Sequence, residues 1–141
     1  MVNENKTVAR IAVYGTLKQG WGNHRLLQKD PIYTGYVNID SISGTGFPSM
    51  KLGDKEKLYV EVYDVTESEF RMVDSLEGYE EGRIPTFYNR VKTKVTKLDD
   101  GTVEDVWIYE IVRDITDTLR DVCEEECTAQ GSVYTWLGGY R

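Results

Sequence analysis

The chain has 141 residues and a formal net charge of −7, with 40% apolar and 29% charged residues. This is the size of one ordinary domain, 1–141, and the composition is too apolar for a disordered chain. The acidic balance argues against a nucleic-acid partner, and no apolar run approaches the roughly 20 residues of a membrane-spanning helix, so neither nucleic acid nor membrane is expected.

Residues 1–10 lack the apolar middle of a secretory leader, which points to a cytoplasmic protein. Residues 8–14 (VARIAVY) are apolar and β-branched and stop at Gly15, which predicts a buried strand feeding a loop. Asn23 stands as the N-cap of a short helix carrying Leu26 and Leu27, ended by Pro31. Residues 32–39, 47–52 and 58–65 read as strands, the last with alternation around Val60 and Val62.

Thr66-Glu67-Ser68-Glu69 is a capping box opening a helix with Phe70, Val73 and Leu76 at helical spacing, and Gly78 stands just past its end. A polar loop follows over 79–86 with Pro85. Strands over 87–98 and 102–112 then flank Asp99-Asp100-Gly101, an antiparallel hairpin signal. The acidic tail over 114–129 reads as a short helix, before the aromatic and glycine-rich end SVYTWLGGYR. Many strands, few short helices and no βαβ alternation give an α+β fold with a mixed or antiparallel sheet able to curl into a barrel.

The single histidine, His24, bounds the chemistry, because both Ser-His-Asp and Cys-His catalysis would have to use it. Beside a helix start it reads as structural or solvated. Cys123 and Cys127, four apart, share one face of the predicted helix. Two cysteines are too few for a disulfide scaffold and, with one histidine, cannot complete a tetrahedral Cys/His zinc set without carboxylates. They read as ordinary thiols, and no metal is expected. The glycines of YGTLKQGWGN match neither a phosphate loop nor a dinucleotide fingerprint, so no nucleotide cofactor is expected.

Two positions carry alternative readings. The turn at Gly15 is either a plain glycine turn or a run of N–H groups that converge on an anion or oxyanion. Glu77 is either a solvated glutamate beside Glu80 and Glu81 or a carboxyl whose pKa is raised by the helix C-terminus and by burial against Leu76 and Tyr79. A carboxyl so raised can exchange protons near neutral pH.

Taken in order, Tyr14-Gly15-Thr16-Leu17, Asn23-His24-Arg25, Phe47-Pro48, Glu61-Val62-Tyr63, Asp74-Ser75-Leu76-Glu77-Gly78 and Tyr88-Asn89-Arg90-Val91 resemble the gamma-glutamylcyclotransferase-like superfamily. They are most similar to gamma-glutamylamine cyclotransferases and their AIG2-like relatives, over about Ile11 to Ile111. The resemblance implies a small mixed β-barrel with flanking short helices. It also implies a cofactor-free enzyme that takes a small-molecule gamma-glutamyl substrate and releases 5-oxoproline. By this resemblance the backbone of Tyr14, Gly15, Thr16 and Leu17 would hold the gamma-glutamyl group, Glu77 would be the acid/base, and Tyr88 and Tyr109 would line the pocket. The acidic insert between Glu77 and Tyr88 and the tail from Cys123 onward depart from the pattern. A non-catalytic ligand-binding module on the same fold is the alternative.

Overall fold

The computed structural model describes residues 6–27, 29–45, 48–79 and 87–138. Its elements are β1 (Thr7–Val13), a 3-10 turn (Gly22–Leu26), β2 (Tyr33–Ser43), β3 (Ser49–Thr66), α1 (Glu67–Leu76), β4 (Tyr88–Lys97), β5 (Val103–Ile111), a one-turn helix α2 (Leu119–Val122), β6 (Cys123–Thr128) and β7 (Gly131–Trp136). The strands follow the order β1-β5-β4-β2-β3-β7-β6, and β1 also pairs with β3, so five strands close into a ring from which the β6–β7 hairpin extends. Pairing is parallel for β1–β5 and β3–β7 and antiparallel elsewhere. The expected mixed α+β barrel is therefore the observed fold.

Apolar side chains fill both sides of the sheet. Val37, Ile39, Leu58, Val60, Val62, Val106 and Ile108 form one cluster. Ile11, Val13, Tyr63 and Val65 form the other, together with Val73 of α1 and Tyr88, Tyr109 and Ile111 of the β4–β5 hairpin. Successive residues of a strand face opposite sides, so β1 sends Ala12 to the first cluster and Ile11 and Val13 to the second. Burial on both faces explains why 58–65 shows only partial alternation.

Strands 47–52 and 58–65 are one strand, not two. Ile39 of β2 pairs with both Leu52 and Glu56, so the intervening polar residues form an irregular bulge that bends β3 without ending it. Gly53 lies inside this bulge, and Phe47 lies outside the described residues.

The capping box forms as expected: the Glu69 N–H donates to Thr66 Oγ1 (3.2 Å) and the Thr66 N–H to Glu69 Oε1 (2.9 Å). Asn23, by contrast, is no cap. It lies inside the 3-10 turn, whose N-cap position is Trp21 without a side-chain cap bond. The acidic helix within 114–129 is also corrected, since only Leu119–Val122 is helical. Residues 123–128 pair antiparallel with 131–136, burying Val133, Tyr134 and Trp136. A glutamate-rich run has no apolar stripe with which to dock a helix, and the pairing partner a few residues on wins. Cys123 and Cys127 are accordingly on a strand, the first buried and the second exposed, both free thiols. Among the described residues no helix is long and apolar enough to cross a membrane. Most of the polar loop 79–86, with Glu80, Glu81 and Pro85, lies outside the described residues.

Candidate active site

β1 ends at Val13 and the chain turns at once into the YGTL segment, while the C-terminal end of α1 approaches from the opposite side. Between them lies a cavity of about 260 Å³ whose lining includes Tyr14, Gly15, Thr16, Leu17, Leu76, Glu77, Tyr88 and Tyr109, together with Asn23 and Pro48. All seven residues picked from the sequence thus meet around one cavity.

The loop wall is held from behind. The Lys18 N–H closes onto Gly15 O (3.0 Å), and the Asn23 N–H donates to Thr16 O (3.0 Å). The Asn23 amide donates to Thr16 Oγ1 (2.8 Å), and His24 Nδ1 bonds Leu17 O (2.9 Å). His24 is therefore a loop support, in keeping with the structural reading of the sequence. Among the described residues the N–H groups of Gly15, Thr16 and Leu17 have no internal acceptor. Gly15 is required by a close approach: a Cβ there would lie 2.5 Å from Pro48 Cδ and 2.7 Å from Cγ.

Sequence reasoning missed the strongest of these supports. Glu61 is buried on β3 and accepts from the Gln19 N–H (2.8 Å), the Tyr63 hydroxyl (2.8 Å) and the Tyr59 hydroxyl (3.1 Å). A buried carboxylate is tolerated only with such donors. Beside it Lys18 is almost fully buried, donates to Trp136 O (2.8 Å), and has its ammonium pKa pushed down to about 8 by burial, against the pull of Glu61. The signal in the sequence was Glu61 standing among Val60, Val62 and Tyr63.

Glu77 is the C-cap of α1, and its N–H donates to Val73 O and Ser75 O. The residue as a whole is half-buried and lines the cavity, and burial of its carboxyl pushes the pKa up to about 7. Among the described residues no donor or cation is bonded to the carboxyl. Three tyrosines surround it. The Tyr14 hydroxyl donates to Tyr109 O (2.7 Å). The Tyr88 hydroxyl donates to Pro48 O (2.8 Å), with Ser49 Oγ at 3.2 Å. The Tyr109 hydroxyl donates to Asp74 Oδ1. All three phenols are held above the ordinary tyrosine range, chiefly by burial and in part by the charge of Glu77. They are neutral hydrogen-bonding groups at neutral pH. Among the described residues no three His, Cys, Asp or Glu side chains converge as a metal-ligand set.

The fold and cavity define a class: a small mixed barrel in which the YGTL loop and the buried carboxyl of Glu77 line one cavity. The family described as gamma-glutamyl cyclotransferase, AIG2-like, matches residues 11–136, and the chain belongs to that family. The match runs through the β6–β7 hairpin, so the tail from Cys123 to Trp136 falls within the family's extent. A Methanocaldococcus jannaschii protein provisionally named a gamma-glutamylcyclotransferase is 31% identical over 110 residues, covering 70% of this chain and 81% of its own. The gamma-L-glutamyl-butirosin B gamma-glutamyl cyclotransferase of Niallia circulans is 27% identical over 108 residues, covering 74% and 67%. An AIG2-like protein of Mus musculus superposes with a TM-score of 0.64 at 25% identity, covering 78% of this chain and 81% of that one.

Proposed function

We propose that the chain converts a gamma-glutamyl amine to 5-oxoproline and the free amine, with Glu77 as general base and then general acid. The observation that carries this reading is that the buried carboxyl of Glu77, which has no bonded donor or cation among the described residues, shares one cavity with Gly15, Thr16 and Leu17, whose N–H groups have no acceptor among those residues. The substrate's own α-amine attacks the γ-carbonyl carbon. The new C–N bond closes a five-membered lactam, and the old amide C–N bond breaks. The α-ammonium loses two protons on becoming a lactam N–H, and the leaving nitrogen gains two on departing as an ammonium. A carboxyl that relays protons near neutral pH closes this balance. The loop N–H groups receive the negative charge that develops on the γ-oxygen. Folding the flexible glutamyl chain into its curled conformer supplies proximity, which is worth several kcal/mol in such ring closures.

The test is incubation of the purified chain with gamma-glutamyl alkylamines, an ε-(gamma-glutamyl)lysine and gamma-glutamyl amino acids, with 5-oxoproline quantified. Release from the amine-type substrates is the expected result. Saturable binding without 5-oxoproline from any of them would overturn the enzymatic reading in favour of a binding module.

A further inference from the structure

α1 does not simply stop at Glu77; it is closed by a clasp. Gly78, with φ at +67°, sends its N–H to Ser75 O (3.2 Å), and the Tyr79 N–H reaches back to Asp74 O (2.8 Å). This is the paired bonding of a Schellman motif. Onto it folds Arg90 of β4. Arg90 Nη1 pairs with Asp74 Oδ2 at 2.7 Å, the two side chains being only 14% and 19% exposed. The guanidinium lies 4.3 Å from the ring centroid of Phe70, 4.9 Å from Tyr79 and 5.1 Å from Trp107. Arg90 Nε is buried without an acceptor among the described residues, so aromatic stacking holds the plane of the group rather than a second ion-pair bond. The other Asp74 oxygen accepts from the Tyr109 hydroxyl, and the carbonyl of Tyr109 accepts from Tyr14.

We propose that Asp74, clasped between Arg90 and Tyr109, is the positioning residue that sets Glu77 against the YGTL loop. It rests on the assignment of Glu77 made above. Asp74 is three residues before Glu77, one turn back on the same side of the helix. Neither Asp74 nor Arg90 lines the cavity, so neither is placed to touch substrate. Their bonds span β4, α1 and β5 and, through Tyr109, reach the first residue of the loop. Tyr109 is thus the gauge between the two walls: its side chain fixes the helix and its backbone fixes the loop. A displacement of about 1 Å in such a constellation costs on the order of 100-fold in rate.

The experiment compares the full chain with Asp74→Ala, Asp74→Asn and Tyr109→Phe, reading kcat/KM on a gamma-glutamyl amine and the titration of the Glu77 carboxyl by carbon NMR without substrate. Among the described residues the groups facing Glu77 in that titration are Tyr14 from the loop, Tyr88 from β4 and Tyr109 from β5, with Glu110 acting on Tyr14 and Arg113 on Tyr88 beyond them. In Asp74→Ala, Glu77 should titrate about one unit or more lower, towards the ordinary glutamate range, as its carboxyl loses burial. kcat/KM should fall about 100-fold, mostly in kcat. Asp74→Asn, which can still accept from Tyr109, should recover part of both, and Tyr109→Phe should show a smaller shift in the same direction. If Asp74→Ala does not fold, the other two variants decide. Parental titration of Glu77 and parental kcat in the folded variants, with only thermal stability lowered, would overturn the inference. The substrate-free titration separates the two ideas: a parent that makes no 5-oxoproline refutes the function, whereas an unmoved Glu77 refutes the clasp.

Discussion

The two walls of the cavity are built on opposite principles. The loop wall offers backbone N–H groups, and its shape is fixed by hydrogen bonds to its rear from Glu61, Asn23 and His24. The helix wall offers one side-chain carboxyl, and its shape is fixed by an ion pair and an aromatic stack around Arg90. A wall made of backbone tolerates changes of side chain so long as nothing intrudes on its path. A wall whose chemistry sits on one carboxyl fails when that carboxyl changes.

The largest expected effect is therefore at Glu77. Glu77→Gln keeps the shape and removes proton exchange, so turnover should fall by about two to four orders of magnitude, the usual worth of a general acid/base. KM should change little. Steady-state kinetics on a substrate the parent converts would check this, and near-parental turnover would erase the difference between the walls.

The next effect is with pH. With burial raising the Glu77 carboxyl to about 7, kcat/KM should climb about tenfold per pH unit below that value and level off above it if, as proposed, the base form is the active one. Stability should run the other way. The carboxyl's folded pKa of about 7 lies above its ordinary 4.5, so the folded state binds the proton more tightly. Its contribution is greatest below pH 4.5 and is lost as pH rises towards 7. Melting curves of Glu77→Gln and parent should thus converge near pH 4.5, with the variant gaining relative to the parent by pH 8.

On the loop wall the sensitive point is Gly15. Gly15→Ala would press a methyl into the Pro48 ring, at 2.5 Å from Cδ, which is overpacking worth about 1–3 kcal/mol. Because Pro48 O holds the Tyr88 hydroxyl, the disturbance passes into the cavity. Turnover should fall about tenfold and melting temperature with it, and Gly15→Val should be worse. A Gly15→Ala variant as stable and active as the parent would show that the loop and Pro48 part readily.

How much of this was legible follows from where the determining contacts lie in the chain. The capping box, Gly78 and the β4–β5 hairpin are local, and each was readable from a few adjacent residues. The YGTL loop and Glu77 were readable as a site only through the order of short motifs, because the cavity joins residues more than sixty positions apart. Composition could not reveal Glu61 as buried, since its burial depends on the loop that covers β3. The Asp74–Arg90 pair is hidden for the same reason, although both residues stand in the motifs that carry the family resemblance. The tail was misread because the partner of 123–128 is a strand, while the helical reading rested on local acidity alone.

The smallest effect should come from the only polar side chain in the loop besides the Tyr14 hydroxyl. Thr16 Oγ1 accepts from the Asn23 amide at 2.8 Å, but the Asn23 N–H also donates to Thr16 O at 3.0 Å, and this second bond is backbone to backbone. Thr16→Ala removes the first bond and leaves the second. Both residues are partly exposed, so water can take the place of the lost hydroxyl, and the net cost should be about 1 kcal/mol or less. The N–H of residue 16 remains where it was, so turnover should stay within a few-fold of the parent. Asn23→Ala removes the same side-chain bond from the other end and should behave alike in stability; because Asn23 also lines the cavity, any further loss it shows in KM measures contact with substrate. Measuring both variants side by side isolates the hydroxyl, and a loss in Thr16→Ala comparable to that in Glu77→Gln would mean that the loop acts through this side chain and not through its backbone.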